Sequence, residues 1–266
     1  MSKASLSLQK RGGIAYLTLC RPESQNAIDG VFLRQLADAC EAIEADDSVR
    51  VVLLTGDGDV FSSGWDWSAL GGLAAEAEGG SLLEAARAQG MLDDPFGRLA
   101  ELPQPVVCAL NGDATGAGLE LALACDVRLA AEGAHFGLPE TALGILPMGG
   151  GTQRLARLVG RGKALEMILA GETIDAPEAL RVGLVSAVAR RDRLLAEAEA
   201  IAQRIAQRGP LAVRYAKEAV SRGIDMPLEQ ALRYETDLTI ILQTTQDRAE
   251  GVRAFLEKRK PEFKGA

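Results

Sequence analysis

The stretch VVCALNGDATGAGLELALACDVRLA, Val106 to Ala130, decides the fold. Val106 to Leu110 is a short continuous apolar run behind Pro105, as expected of a strand buried on both faces. Gly112, Gly116 and Gly118 then turn the chain into an apolar helix, and Val127 to Ala130 gives the next strand. Upstream, Val51 to Leu54 (VVLL) repeats the buried-strand pattern, ends at Gly56 and leads into a second Gly-containing turn, FSSGWDWSAL (Phe61 to Leu70). Further back, Asp29 caps a helix whose apolar face is Phe32, Leu33, Leu36, Ala39, Cys40 and Ile43. Ser5 to Gln9 and Ile14 to Leu19 alternate across Gly12-Gly13 as an antiparallel hairpin.

Between Leu70 and Leu102 the composition shifts to Gly, Ala, Glu and Asp, which predicts a mobile, partly helical excursion that closes a pocket. Beyond Gly149 strands nearly vanish, with Leu184 to Val188 as the last candidate. Helical periodicity from Leu194 to Leu256, punctuated by Pro210, Gly223 and Pro227, predicts about four helices. The chain therefore reads as an α/β core over residues 1–195 and a helical C-terminal region over 196–266.

With 266 residues and 47% hydrophobic side chains, the chain has material for a large buried core. Its 29 Lys and Arg against 37 Asp and Glu leave a net charge of −8, which argues against binding nucleic acid or a membrane surface. Cys20, Cys40, Cys108 and Cys125 lie far apart, without metal-ligand or redox spacing, and a nucleophilic triad would have to use the single histidine, His135. His135 has no carboxylate partner in a nearby motif and reads as structural. The N-terminus lacks an apolar signal core and no apolar run is long enough to span a membrane, so the expectation is a cytoplasmic protein with reduced cysteines.

Three segments concentrate the chemistry. In FSSGWDWSAL, Gly64 permits a tight turn that leaves the Trp65 amide facing a cleft, or the segment is a plain turn carrying two core tryptophans. In NGDATGAGLELA, Gly116 and Gly118 open a helix whose free amides can hold an oxyanion, with Glu120 in its first turn, either as a dipole partner or as a catalytic acid. The third glycine of a dinucleotide fingerprint is replaced by Leu121. In HFGLPETALGILPMGGG, Glu140 sits among Leu138, Leu143 and Ile145, apolar neighbours that should raise its pKa. Loop amides and paired carboxyls suit stabilisation of an enolate with proton transfer beside it.

With these segments in order, and with RPESQNAI (Arg21 to Ile28), FGLPETALGILPMGGGTQRL (Phe136 to Leu155) and EGVRAFLEKRKPEF (Glu250 to Phe263), the sequence resembles the enoyl-CoA hydratase/isomerase (crotonase) superfamily over nearly its whole length. The resemblance implies an α/β spiral of ββα units with an all-helical C-terminal trimerisation region, assembled as a homotrimer or a dimer of trimers. It implies an oxyanion hole from the amides of Trp65 and Ala117 that grips the thioester oxygen of an acyl-CoA. Glu120 would then orient and deprotonate water, and Glu140 would protonate the α carbon. No metal or redox cofactor is implied, coenzyme A being part of the substrate. The CoA portion and the rest of the substrate are expected near Arg21, Ala27, Gly64, Asp66, Trp67, Ser68 and Gly116. Lys258 and Phe263 would be supplied by the tail, of this chain or of a neighbouring subunit, unless that basic tail is simply a solvated helix end. Two departures stand out: Ala117 occupies a position often held by glycine, which would strain it at positive φ, and Trp65 and Trp67 are bulky. Two glutamates favour hydratase over isomerase and over a non-catalytic acyl-CoA-binding protein, while GWD (Gly64 to Asp66) resembles certain dehydratases acting on unusual acyl groups, so a specialised acyl-CoA dehydratase of the same superfamily stays an alternative.

Overall fold

The computed structural model describes residues 4–68, 87, 90 and 94–266. Its main sheet contains β1 (Leu6–Arg11), β2 (Ile14–Leu19), β3 (Val51–Gly56), β4 (Val106–Leu110), β6 (Val127–Ala131) and β9 (Ala187–Ala189), ordered β1-β2-β3-β4-β6-β9. The first pair is antiparallel and every later pair parallel. Each new strand joins the same advancing edge, so the chain winds as a spiral. The hairpin and the three buried strands lie where their patterns predict. The last strand is shorter than its apolar run suggests, because Leu184 and Val185 pack into the core ahead of it.

Strand alternation sorts side chains onto two cores. Ala15, Leu17 and Leu19 of β2, with Val52, Leu54, Cys108 and Leu110, face the inner layer, where α1 (Gly30–Glu44) contributes the predicted apolar face. Asp29 caps α1 by accepting the Phe32 amide at 2.8 Å. Val51, Leu53, Val107, Ala109 and Leu129 face the other way, against Leu194, Ala198 and Ala202 of a long helix at Arg191–Ala206. That helix runs through position 195, so one element belongs to both sides of the boundary drawn from sequence.

The connections form a second layer. Ile28 bridges Trp65 and Ser62 bridges Ala114, both in parallel, and β5 (Ala114–Thr115) pairs with β7 (His135–Gly137), which pairs with β8 (Ile174–Asp175). Each spiral turn thus contributes one strand to the main sheet and one short extended piece to this layer. The pieces are too short to carry a periodic signal, and β8 was not read from sequence.

Most of the Leu70 to Leu102 excursion lies outside the described residues. Its last part, 94–102, is packed, which corrects the expectation of mobility there. Phe96 and Leu99 are fully buried, and the short helix α2 (Gly97–Ala100) sits against α1. The remaining helices are α3 (Ala117–Leu123), α4 (Gly151–Val159), α5 (Arg161–Leu169), α6 (Ala176–Arg181), α7 (Arg191–Ala206), α8 (Pro210–Gly223), α9 (Leu228–Gln243) and α10 (Gln246–Leu256). The last four match the predicted helical region. No described helix is long and apolar enough to cross a membrane.

Candidate active site

The second layer places the chemistry. Because Ile28 and Trp65 form a parallel bridge, Ile28 takes both of its bonds from the flanking peptides: its N–H donates to Gly64 O at 2.7 Å and its carbonyl accepts from Asp66 N at 2.8 Å. The Trp65 N–H therefore points to the opposite side. On that side lies the start of α3, since a Cβ on Gly64 would stand 3.2 Å from the Ala117 nitrogen. Ala117 is the first residue of α3, and its N–H has no intrahelical partner. Neither N–H has a hydrogen-bond acceptor among the described residues. The positive φ that this turn requires falls on Gly116 (53°), not on Ala117, which corrects the expected strain.

Trp65 borders a cavity of about 40 Å³ walled also by Gly64, Trp67, Gly116, Glu140 and Leu143; Ala117 is not among its walls but directly follows Gly116. Glu140 begins a 3-10 turn, Glu140–Leu143, which follows β7. Glu140 is 3% exposed and neither of its carboxyl oxygens has a partner. Burial raises its pKa. The burial has a different origin from the one its apolar neighbours suggest. Leu138 is buried, but Leu143 is 60% exposed. What covers Glu140 is the Gly116 turn, where a Cβ would lie 2.8 Å from Oε1. Only a glycine at 116 combines that φ with that contact.

Glu120 is fully buried in the first turn of α3 but is not among the cavity's walls. Its Oε1 accepts the Gly149 and Gly151 amides at 2.7 and 2.8 Å, while Oε2 has no partner. Desolvation pushes this carboxyl up to about 7. The two amides and Arg154 oppose that rise, and the nearby Glu140 charge adds to it. Two carboxyls held above their usual range are suited to exchanging protons near neutrality.

The other expected site residues divide into two groups. Trp65 is buried, with its ring stacked on Phe96 at 6.1 Å, whereas Trp67 is 42% exposed, so only one tryptophan is core. Arg21 is bound to Asp29 (2.6 Å) and Asp66 (3.3 Å), and also reaches the Ala27 carbonyl. Ser68 donates to Asp66 at 2.6 Å. Arg21, Ala27, Asp66 and Ser68 thus form one charged rim beside the Ile28–Trp65 bridge. Lys258 is exposed on the tail, while the Phe263 ring lies beside Gly209 and Gly251. Within one chain neither reaches the cavity. His135 does have a carboxylate partner, Asp113 at 3.4 Å, but at an exposed site apart from the cavity walls.

Sequence reasoning missed Asn26, Phe96, Arg154 and the role of the Gly149 to Gly151 run. Asn26 is buried at φ 53°, accepts the Arg21 amide, and donates to the Asp57 and Val60 carbonyls at 2.9 Å each, tying the rim to the Trp65 loop. No group of three or more metal-ligating side chains occurs among the described residues.

Comparison with known proteins finds relatives along nearly the whole chain. Residues 9–266 match the family model "Enoyl-CoA hydratase/isomerase". The 2,3-dehydroadipyl-CoA hydratase of Escherichia coli K12 is 42% identical over 265 residues, covering 100% of both chains. The crotonyl-CoA hydratase of Syntrophomonas wolfei is 41% identical over 265 residues, covering 99% of each. A crystal structure of enoyl-CoA hydratase from Bacillus anthracis superposes with a TM-score of 0.92 at 40% identity, covering 98% of this chain and 100% of that one.

Proposed function

The chain belongs to the enoyl-CoA hydratase/isomerase family, and from that premise we propose that it is an enoyl-CoA hydratase, a hydro-lyase that adds water reversibly across the 2,3 double bond of an enoyl-CoA thioester. The observation that carries the reading is the meeting of Trp65, whose main-chain N–H is unpaired, and the unpartnered Glu140 carboxyl at one cavity, with the unpaired Ala117 N–H directly after its Gly116 wall.

In this reading the thioester oxygen accepts both amides, which stabilise the enolate that forms when the β carbon is attacked. One such donor contributes about 3 kcal/mol to a transition state of this kind. Glu120, held by the Gly149 and Gly151 amides through Oε1, keeps Oε2 free to take a proton from the attacking water. The water oxygen bonds to the β carbon, and Glu140 gives its proton to the α carbon. The carboxyls then exchange one proton with solvent to restore the starting state. Burial of Glu140 favours the protonated form that this step needs. The reaction requires no metal or redox cofactor.

The charged rim of Arg21, Ala27, Asp66 and Ser68, with the exposed Trp67, is our candidate surface for the CoA moiety. Lys258 and Phe263 join it only from a neighbouring copy. The exposed apolar side chains Val220, Ile224, Leu228 and Leu232 suit burial between copies in a homotrimer or a dimer of trimers. Four unpaired cysteines suit a reducing compartment, and the cytoplasm is our assignment of location.

The test is incubation with crotonyl-CoA, following the conjugated enoyl absorbance. Loss of absorbance with formation of the 3-hydroxyacyl product supports the reading. Binding without turnover, or conversion only of a 3-enoyl-CoA into the conjugated isomer, overturns it.

A further inference from the structure

We propose that Arg154 is a positioning residue for Glu120, acting through the Gly149 to Gly151 backbone in partnership with Asp94. The kinetic consequence rests on the hydratase reading above; the geometry does not.

Three consecutive peptides cross the site here. The first and third turn their N–H groups, Gly149 N and Gly151 N, inward to Glu120 Oε1. The middle one turns its carbonyl, Gly149 O, outward to Arg154 Nη1 at 2.9 Å. The start of α4 fixes Gly151, since Gly150 O accepts the Gln153 and Arg154 amides, but Gly149 lies outside the helix with a glycine's backbone freedom. The guanidinium supplies the anchor. Its fork also binds Asp94 through both nitrogens, at 3.0 and 2.6 Å.

Each glycine is shaped to this arrangement. A Cβ on Gly151 would lie 2.8 Å from Glu120 Oε1. One on Gly150, which has φ 91°, would lie 2.2 Å from Arg154 Nη1. One on Gly149 would lie 2.6 Å from the Phe96 ring and 2.9 Å from Glu120 Oε2. Phe96, two residues after Asp94, stacks on Trp65. The Asp94–Arg154 pair therefore ties together the wall over Oε2, the amides on Oε1 and the residue whose N–H faces the cavity. An ordinary surface ion pair contributes little to stability. This one, with Arg154 22% exposed, spends its third hydrogen bond on the backbone that aims at an acid.

The charged side chains acting on the Glu120 carboxyl are Glu140 and Arg154, and Asp94 acts through Arg154. The two partners should then have opposite effects on Glu120 protonation, although both loosen the same backbone. Arg154→Gln removes a cation, so the acid limb of kcat/KM should move up by about one pH unit, while kcat falls about 10- to 100-fold and KM changes little. Asp94→Asn also lowers kcat, but frees the Arg154 charge, so the limb should move down. Arg154→Lys should restore the limb and not kcat, since an ammonium lacks the planar fork.

The experiment compares these three full-length variants with wild type in crotonyl-CoA hydration. It also follows the infrared titration of the protonated-carboxyl band that Glu120→Gln abolishes, which needs no turnover. Opposite displacement of that titration in Arg154→Gln and Asp94→Asn is the expected result. An unmoved titration, or displacement in the same direction, overturns the proposal and leaves Arg154 a brace for folding only. A wild type that fails to hydrate crotonyl-CoA refutes the hydratase reading, and the infrared titration still decides the role of Arg154. If Arg154→Gln does not fold, Asp94→Asn decides alone: a titration displaced downward from that of wild type and Arg154→Lys supports the proposal, and one that is unmoved or displaced upward overturns it.

Discussion

Replacing Glu120 with glutamine should stabilise the protein while disabling it, and the stabilisation should depend on pH with a sign fixed by burial. A carboxyl moved from 4.5 to about 7 has its ionised form disfavoured by about 3 kcal/mol. Its folded pKa lies above its unfolded one, so between those values the folded chain binds more protons. Stability therefore falls as pH rises from about 4.5 to about 7 and stays reduced above. Glutamine offers the same oxygen to the Gly149 and Gly151 amides and cannot ionise. Glu120→Gln should thus gain about 3 kcal/mol over wild type at pH 8 but under about 1 kcal/mol at pH 5. Thermal melts of both proteins across that range, at one protein concentration, should show the melting temperatures diverging by several degrees as pH rises. A difference independent of pH, or one that shrinks toward pH 8, would refute the reasoning that desolvation governs this acid.

Glu140→Gln should lower kcat by about 100-fold or more with little change in KM, since it removes a proton donor and leaves the oxyanion amides in place. Comparing kcat and KM for crotonyl-CoA checks this. Gly116→Ala should cut hydration by at least about 10-fold, because a methyl group at φ 53° would meet the Glu140 carboxyl at 2.8 Å; steady-state rates beside melting curves would separate the displaced acid from unfolding. Asn26→Ala removes three hydrogen bonds of a buried side chain at once and should destabilise the fold by about 2–4 kcal/mol, read as a lowered denaturation midpoint in urea.

The main sheet was legible because each of its central strands is covered on both faces, so runs such as VVLL and VVCAL show burial without any knowledge of their neighbours. Asp29 and the face of α1 were legible for the same local reason. The second layer was not, since the pieces holding Trp65, Ala114 and Gly137 are too short for any period to register. For the site, Glu120 and Glu140 stood out as acids in apolar segments, but the groups that tune them are distant in sequence. The amides on Glu120 come from 29 and 31 residues away. Asp94 is 60 residues from Arg154. Glu140 is covered by a turn more than twenty residues earlier rather than by its own apolar neighbours. The strain expected at Ala117 was displaced by one residue onto Gly116, because a helix start fixes the φ of its first residue and leaves the reversal to the residue before it.

The central claim, that the Trp65 and Ala117 amides polarise a thioester carbonyl beside two acids, is tested most directly by isotope-edited infrared spectroscopy of an enoyl-CoA carrying ¹³C at its thioester carbonyl, bound to Glu140→Gln. Two donors on one oxygen predict a carbonyl stretch displaced to lower frequency than that of the free thioester in water. A bound carbonyl absorbing at the aqueous frequency or above would contradict the account.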